Sequence, residues 1–357
     1  MKAAVLWKRR TPLAIEDLEL ADPAPGEARI KVGASGVCHS DLNHVQRETW
    51  ATLPIVLGHE AAGTVEAVGS NVTRVKPGQR VIAAFGMRCG ECHFCVRGQP
   101  YLCATALPSA TQLRKGDTPI QTFSGVGSFA EYINVDARNL VPIPDEMPIA
   151  RACLIACGVA TGIGAVLTTA QVEPGATVAV FGIGGVGLNV VQGARLAGAS
   201  RIIAVDRVPL KLELARQFGA THVIDAGRED AVERIKALTG GWGADYIFEV
   251  IGNPKTLMQA VEATSKGGKT VIVGIAPEDA EISLSPVAML RSGKSVTGCM
   301  YGSARPQYDF PRYVDLYLNG RIMLGELISR EFALDEINEA FAAMEAGEVA
   351  RGVVVFN

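Results

Sequence analysis

The stretch TVAVFGIGGVG, residues 177–187, decides the fold. A short strand-like run meets Gly182, Gly184 and Gly187 at G-x-G-x-x-G spacing, and LNVVQGARLA continues from there as a helix to Ala197. In such a turn Gly182 permits the tight reversal, Gly184 lets backbone approach a pyrophosphate, and Gly187 allows close helix packing. Gly185 and Val186 open the helix, whose first N–H groups are free to meet an anion. Glycine-rich turns recur in many α/β proteins, so the surrounding register carries the reading. The next strand, RIIAVD, ends at Asp206, nineteen residues past Gly187, where a carboxylate can bind an adenosine ribose diol. An acid at that point repels a 2′-phosphate, which favours NAD over NADP; Arg207 beside it is the one cation that could hold such a phosphate.

Outward from this turn the rhythm is regular. THVIDA, ADYIFEV and KTVIVGI read as strands, and PLKLELARQFG, EDAVERIKALTG and PKTLMQAVEATSKG as the helices between them. Alternation of this kind predicts an α/β doubly wound parallel sheet. Residues 28–144 differ: ARIKVGAS, GTVEAVGS, RVIAAF and SFAEYINV are short alternating runs punctuated by Gly, Pro and Asn, which predicts a β-rich, barrel-like domain. Beyond about residue 299 come two amphipathic stretches and a closing strand, RGVVVFN, expected to return to the first domain. The expected boundaries are therefore 159–299 for the dinucleotide domain, and 1–158 with 300–357 for a discontinuous second domain.

Composition narrows the function. The 357 residues are 48% hydrophobic with a net charge of −3, and no basic block with interleaved aromatics suggests nucleic acid or a membrane surface. Small molecules are the expected partners. The N-terminus lacks a signal-peptide pattern, and the apolar stretch 152–170 is laced with glycine and threonine, so a cytoplasmic protein with no membrane span is expected.

Eight cysteines are too few for a disulfide scaffold, and four of them crowd into fifteen residues. MRCGECHFCVRGQPYLC sets Cys89, Cys92, Cys95 and Cys103 at C-x2-C-x2-C-x7-C, a set able to close a tetrahedron around one structural Zn²⁺, with an iron–sulfur cluster as the rival occupant. His93, inside that loop, is expected to face solvent. A second constellation is more scattered. Cys38 in GVCHSDLNH and His59 in LGHEAAG lie in glycine-bracketed loops, and Cys157 in LIACGVATG is a third candidate. Cys, His and Cys from three loops would leave a zinc one open position, as a catalytic zinc requires.

These segments together, CHSDL, GHE, the four cysteines, LIACGVATG, GIGGVG and RGVVVF, resemble the zinc-dependent medium-chain alcohol dehydrogenases over nearly the whole chain. The resemblance implies a Rossmann domain beside a GroES-like catalytic domain, two Zn²⁺ per chain and NAD. It implies Cys38, His59 and Cys157 as ligands of the catalytic zinc, with Glu60 as an alternative ligand behind it, and Asp41 and Arg351 as partners of the ligands. Ser40 is implied as acceptor of the alcohol's proton. His39, the turn from Gly184 to Val186, Asp206, Lys211 and Arg351 are implied as cofactor contacts, and Thr161 and Val186 as backing for the nicotinamide.

Phe85, Trp50 and Met300 fall near family pocket positions, and their apolar character favours a medium-chain or aromatic primary alcohol over a polyol. The family's anion-binding arginine for glutathione adducts has no counterpart in ATALPSA, which makes formaldehyde-type activity the weaker choice; a secondary alcohol or ketone is the other alternative. Asn43 stands where many relatives carry a proton-passing histidine, with His44 one residue later as at most an auxiliary base. A non-enzymatic NAD-sensing relative would lack a zinc ligand or Ser40, and a zinc-free quinone reductase would lack the four cysteines; neither is missing. A homo-oligomer, dimer or tetramer, is expected.

Overall fold

The computed structural model describes residues 1–47, 49, 51–86, 89–105 and 112–356. The chain divides into two compact units, Met1–Cys157 with Arg305–Asn357, and Gly158–Ala304.

In the discontinuous unit, alternating apolar residues build two sheets around one core. The first runs in the order Ala14–Asp17, Lys2–Leu6, Ile55–Val56, Thr118–Thr122, Leu113–Lys115, Glu19–Leu20. The second runs Leu140–Pro142, Arg80–Ala83, Glu60–Val68, Glu27–Val37, Arg351–Val355, Ile328–Phe332, and Tyr132–Asp136 also pairs with Glu27–Val37. Leu6, Ile30, Leu57, Ile120, Phe129 and Phe332 are fully buried between them. Glu27–Val37 is the organising strand. Its end pairs antiparallel with both neighbours, Gly36 opposite Glu60 and Val37 opposite Gly352, which brings Cys38, His59, Glu60 and Arg351 to one place although they are far apart in sequence. Gly36 is needed there: a Cβ would strike the Glu60 side chain folded against it.

The second unit carries six parallel strands in the order His222–Asp225, Arg201–Asp206, Thr177–Phe181, Ala244–Glu249, Thr264–Ile272, Ser295–Gly298. By sequence this is 3-2-1-4-5-6, which opens a ligand crevice at the carboxyl ends of Thr177–Phe181 and Ala244–Glu249, where the order reverses. Ala179, Phe181, Ile203, Val205 and Ile247 pack under Val232, Ile235 and Ala260 of the covering helices. Residues 264–267, expected to finish a helix, instead begin a strand, because the helix ends at Ala263 and the Thr264 hydroxyl turns back onto the Ala260 carbonyl.

The stretch Ile149–Ala170 is one helical run, long and apolar enough to cross a membrane by length and composition, and mostly buried within the protein. It contains two π turns, Ile155–Val159 and Ala165–Ala170.

Candidate active site

Three loops were expected to supply the open metal site, and one of the three residues, Cys157, lies elsewhere. Cys38 is the N-cap of a helix, His39–Gln46, and Cys157 lies in the π turn Ile155–Val159. Cys38 itself is the link between the strand Glu27–Val37 and that helix, and His59 sits in a loop directly before the strand Glu60–Val68. The glycine brackets suggested turns, but the polar run HSDLNHVQ buries Asp41, Leu42 and His44 and so closes a helix. Around Cys157 nearly every side chain is buried, which holds the glycine-containing stretch helical; a π turn carries an extra residue at that level, a feature frequent at functional sites.

Candidate ligand atoms of Cys38, His59, Glu60 and Cys157 all lie within 4.8 Å of one another, and all four residues are buried. Asp41 Oδ1 lies 3.1 Å from His59 Nδ1 and accepts the Gly58 N–H at 2.8 Å, an arrangement that leaves Nε2 to face a metal. Glu60 is ion-paired through Oε2 with Arg351, while its Oε1 is buried with no hydrogen-bond partner among the described residues, as is Asp41 Oδ2. Uncompensated carboxylate oxygens are costly in a dry interior, and a divalent cation among two thiols, an imidazole and a carboxylate would relieve that cost. The donor set fits Zn²⁺.

The protonation pattern of these groups has the same origin. A hydrogen bond from Cys157 holds the Cys38 thiol well below its ordinary pKa, and its counterpart holds Cys157 well above. Burial works against a charged His59, yet the Asp41 carboxylate and Cys38 raise its pKa well above the ordinary value. Burial pushes Glu60 up to about 7 despite Arg351.

The four-cysteine segment is a different environment. Cys89, Cys92, Cys95 and Cys103 are all free thiols, each partly exposed, with ligand atoms within 4.8 Å of one another. The sulfurs of Cys89 and Cys95 are 4.0 Å apart, those of Cys92 and Cys103 3.9 Å, and those of Cys103 and Cys89 3.7 Å. A zinc tetrahedron with Zn–S of about 2.3 Å sets its sulfurs about 3.8 Å apart. The N–H groups of Glu91 and Cys92 point at Cys89 Sγ, at 3.4 and 3.2 Å. Hydrogen bonds from Thr105 and from those amides draw the Cys89 thiol down to about 6, whereas burial pushes Cys95 up to about 12. His93 is exposed and bonded to Arg97 at 3.1 Å.

In the parallel-sheet unit the glycine turn is built for close approach. Gly182 takes φ +93°, and a Cβ on Gly187 would strike the Gly182 carbonyl. Gly184 caps the helix Gly185–Leu196, and Val186 is half-buried in its first turn. Asp206 ends its strand as expected, but its carboxylate also works on the backbone: Oδ2 accepts the Ile183 N–H at 2.7 Å, and Oδ1 the N–H groups of Arg207 and Val208 at 2.7 and 3.0 Å. Lys211 is half-buried on the following helix, Pro209–Phe218, and Arg207 is exposed. Thr161, half-buried, precedes Gly162, where a Cβ would meet the Val186 carbonyl and Asn189, so the two helices touch backbone to backbone.

The other expected residues fall as follows. His39 is exposed and Ser40 half-buried in the first turn of their helix, with Ser40 Oγ 3.7 Å from Cys38 Sγ. Asn43 is half-buried on the same helix. His44 is buried, with Nδ1 2.6 Å from Thr49 Oγ1. Arg351, expected among the cofactor contacts, is buried in the discontinuous unit on Glu60. Phe85 meets His59 edge to face at 5.1 Å, Met300 is exposed, and Trp50 lies outside the described residues, as does most of ATALPSA. Phe123 was missed: it stands edge-on to His59 at 5.3 Å and to His44 at 4.4 Å. It sits in QTFSGVG, which carries no motif, so only the fold reveals it.

The Alcohol dehydrogenase GroES-like domain family matches residues 24–145, and the Zinc-binding dehydrogenase family residues 185–319. The chain is 42% identical over 368 residues to the alcohol dehydrogenase class-3 of Myxine glutinosa, covering 99% of this chain and 97% of that protein. It is 40% identical over 365 residues to the S-(hydroxymethyl)glutathione dehydrogenase of Photobacterium damsela subsp. piscicida, covering 99% of each. The crystal structure of benzyl alcohol dehydrogenase from Acinetobacter calcoaceticus superposes with a TM-score of 0.94 at 33% identity, over 100% of this chain and 99% of the other. With both domain families matched and full-length relatives of this identity, the chain belongs to the zinc-dependent medium-chain dehydrogenase/reductase family, as an alcohol dehydrogenase using zinc and NAD.

Proposed function

We propose that the enzyme transfers hydride reversibly between a medium-chain or aromatic primary alcohol and NAD, giving the aldehyde. The observation that carries this reading is the pair of rings, Phe85 and Phe123, standing edge-on to His59 within the buried donor set. An apolar aromatic wall beside the metal position suits a benzylic or alkyl carbon and offers a polyol's hydroxyls nothing to bond. Likeness to a benzyl alcohol dehydrogenase supports the same choice.

When bound, zinc supplies the Lewis acidity that eases loss of the alcohol's proton, and NAD accepts the hydride. In this reading Cys38, His59 and Cys157 hold the catalytic zinc with Glu60 as a reserve ligand, and Cys89, Cys92, Cys95 and Cys103 hold a second, structural zinc. Asp41 fixes the His59 ring, and Arg351 keeps Glu60 compensated from behind. Ser40 accepts the alcohol's proton. Asn43 does not titrate, and His44 is buried on Thr49 with its pKa lowered by that burial, so His44 is at most an auxiliary base; the nicotinamide ribose of a bound NAD would supply the path by which the proton reaches water. His39 and residues Gly184 to Val186 serve the pyrophosphate, Asp206 and Lys211 the adenosine ribose, and Thr161 and Val186 the nicotinamide. Residues 1–158 with 300–357 act as the zinc domain and 159–299 as the NAD domain, in a cytoplasmic homo-oligomer whose size light scattering would give.

The second reading, oxidation of a thiol–formaldehyde adduct, is favoured by the names of the class-3 and S-(hydroxymethyl)glutathione relatives. An NAD-linked absorbance screen over aliphatic, benzylic, secondary and polyol alcohols and S-(hydroxymethyl)glutathione separates them. The highest kcat/KM is expected for a benzylic or medium-chain primary alcohol; a highest value for the glutathione adduct would overturn the first reading in favour of the second.

A further inference from the structure

The helix that carries Ser40 ends in an unusual way. A helix terminus leaves its last four carbonyls without intrahelical partners. In His39–Gln46 all four are satisfied, three of them by the N-terminal segment: the Asn43 carbonyl accepts the Arg47 N–H at 2.9 Å, that of His44 accepts Arg9 Nη1 at 2.9 Å, that of Val45 the Arg10 N–H at 2.6 Å, and that of Gln46 Arg10 Nε at 3.3 Å. Arg10 takes φ +61° to do so, a conformation that costs a non-glycine residue free energy. Two guanidinium groups at the negative end of the helix dipole also suit its charge.

Arg9 reaches further. Its Nη2 donates to the carbonyls of Thr49 at 3.0 Å and Ala51 at 2.6 Å, so one planar fork ties the helix end to the chain that follows it. From there the contacts run inward. Thr49 Oγ1 meets His44 Nδ1 at 2.6 Å, the His44 ring meets Phe123 at 4.4 Å, and Phe123 meets His59 at 5.3 Å.

We propose that Arg9 is a positioning residue for the substrate pocket: its grip on His44, Thr49 and Ala51 fixes the His44 ring, which fixes Phe123 against His59. Arg9 touches neither the metal donors nor the alcohol in this account, which rests on the alcohol reading above. Its loss lets the aromatic wall shift and weakens alcohol binding more than it slows turnover.

The test uses zinc-loaded full-length enzyme and the variants R9M and R9K. With benzyl alcohol, KM should rise roughly three- to tenfold in R9M while kcat falls far less, the signature of lost binding rather than lost chemistry. R9K should recover only part, because one ammonium cannot span three carbonyls as a fork does. The chain has five histidines, so the His44 ring resonance, assigned with H44Q, can be followed in histidine-labelled protein. It should move in R9M as the ring leaves Phe123. A folded R9M, or R9K if R9M does not fold, with both KM and the His44 resonance unchanged would overturn the proposal. So would an R9M whose loss lies wholly in kcat. If the wild-type enzyme oxidises no alcohol, the alcohol reading falls and the His44 resonance alone decides the clamp: movement supports it, and no movement overturns it.

Discussion

The two cysteine-bearing sites of the discontinuous unit are built on opposite plans. Cys89, Cys92, Cys95 and Cys103 come from fifteen consecutive residues, are partly exposed, and draw backbone N–H groups onto a sulfur within a few residues. Cys38, His59, Glu60 and Cys157 span 120 positions, are buried, and meet because the strand Glu27–Val37 pairs in register with Glu60–Val68 while the helical run from Ile149 brings in Cys157. The first plan spends all four donors and makes a closed site, suited to holding a fold together. The second leaves carboxylate oxygens without a partner among the described residues and sets two aromatic rings against its imidazole, suited to binding a reacting molecule. Local chain geometry is enough for a staple, whereas an open metal site needs the whole sheet.

That contrast predicts unequal consequences for removing one ligand from each. Cys38→Ser should abolish turnover with the fold kept, and Cys95→Ser should chiefly lower the melting temperature; elemental analysis should give two zinc ions in the wild type and one in each variant. Full activity in a Cys38→Ser protein that has lost zinc would break the comparison.

Within the open site, Ser40→Ala should lower alcohol oxidation severely, about 10²- to 10⁴-fold, as loss of a positioned acid–base group does. His44→Gln should cost less than about tenfold, because His44 is engaged with Thr49 and Phe123 and its charged form is disfavoured by burial. The pH profiles of both variants check this. A loss in His44→Gln as large as in Ser40→Ala, rescued at high pH, would make His44 the obligatory proton exit.

Asp41→Asn sharpens the comparison from behind the ligands. Loss of a carboxylate that orients a metal-binding histidine typically costs about 10- to 100-fold in metal affinity, so competition with a chelator should strip one zinc early and leave the other in place. Equal release of both ions would mean that Asp41 does not tune His59.

The smallest effect is expected in the second unit. Asp206→Gly should narrow the preference for NAD over NADP, measured as a ratio of kcat/KM values. Because Asp206 also holds the Ile183, Arg207 and Val208 amides, the variant should lose efficiency with NAD as well as gain tolerance of NADP. A wild type that prefers NADP would show that Arg207 outweighs the carboxylate.

Features written in neighbouring residues were legible before any fold was known. The strand, glycine turn, helix and terminal acid of residues 177–206 imply the parallel sheet, since each part sits at fixed spacing from the next. Spacing likewise marks Cys89, Cys92, Cys95 and Cys103 as a candidate metal set. Tertiary structure decided the rest. Cys157 lies in a π turn because burial of the surrounding residues overrode the glycines that suggested a loop, and the link that holds Cys38 shrinks to one residue because a helix starts at His39. Arg351 lies on Glu60, 291 positions away, because the last strand pairs with Glu27–Val37. Phe123 and Arg9 carry no motif at all; a ring set against an imidazole and a guanidinium spanning three carbonyls are contacts across the fold, and no local pattern encodes them.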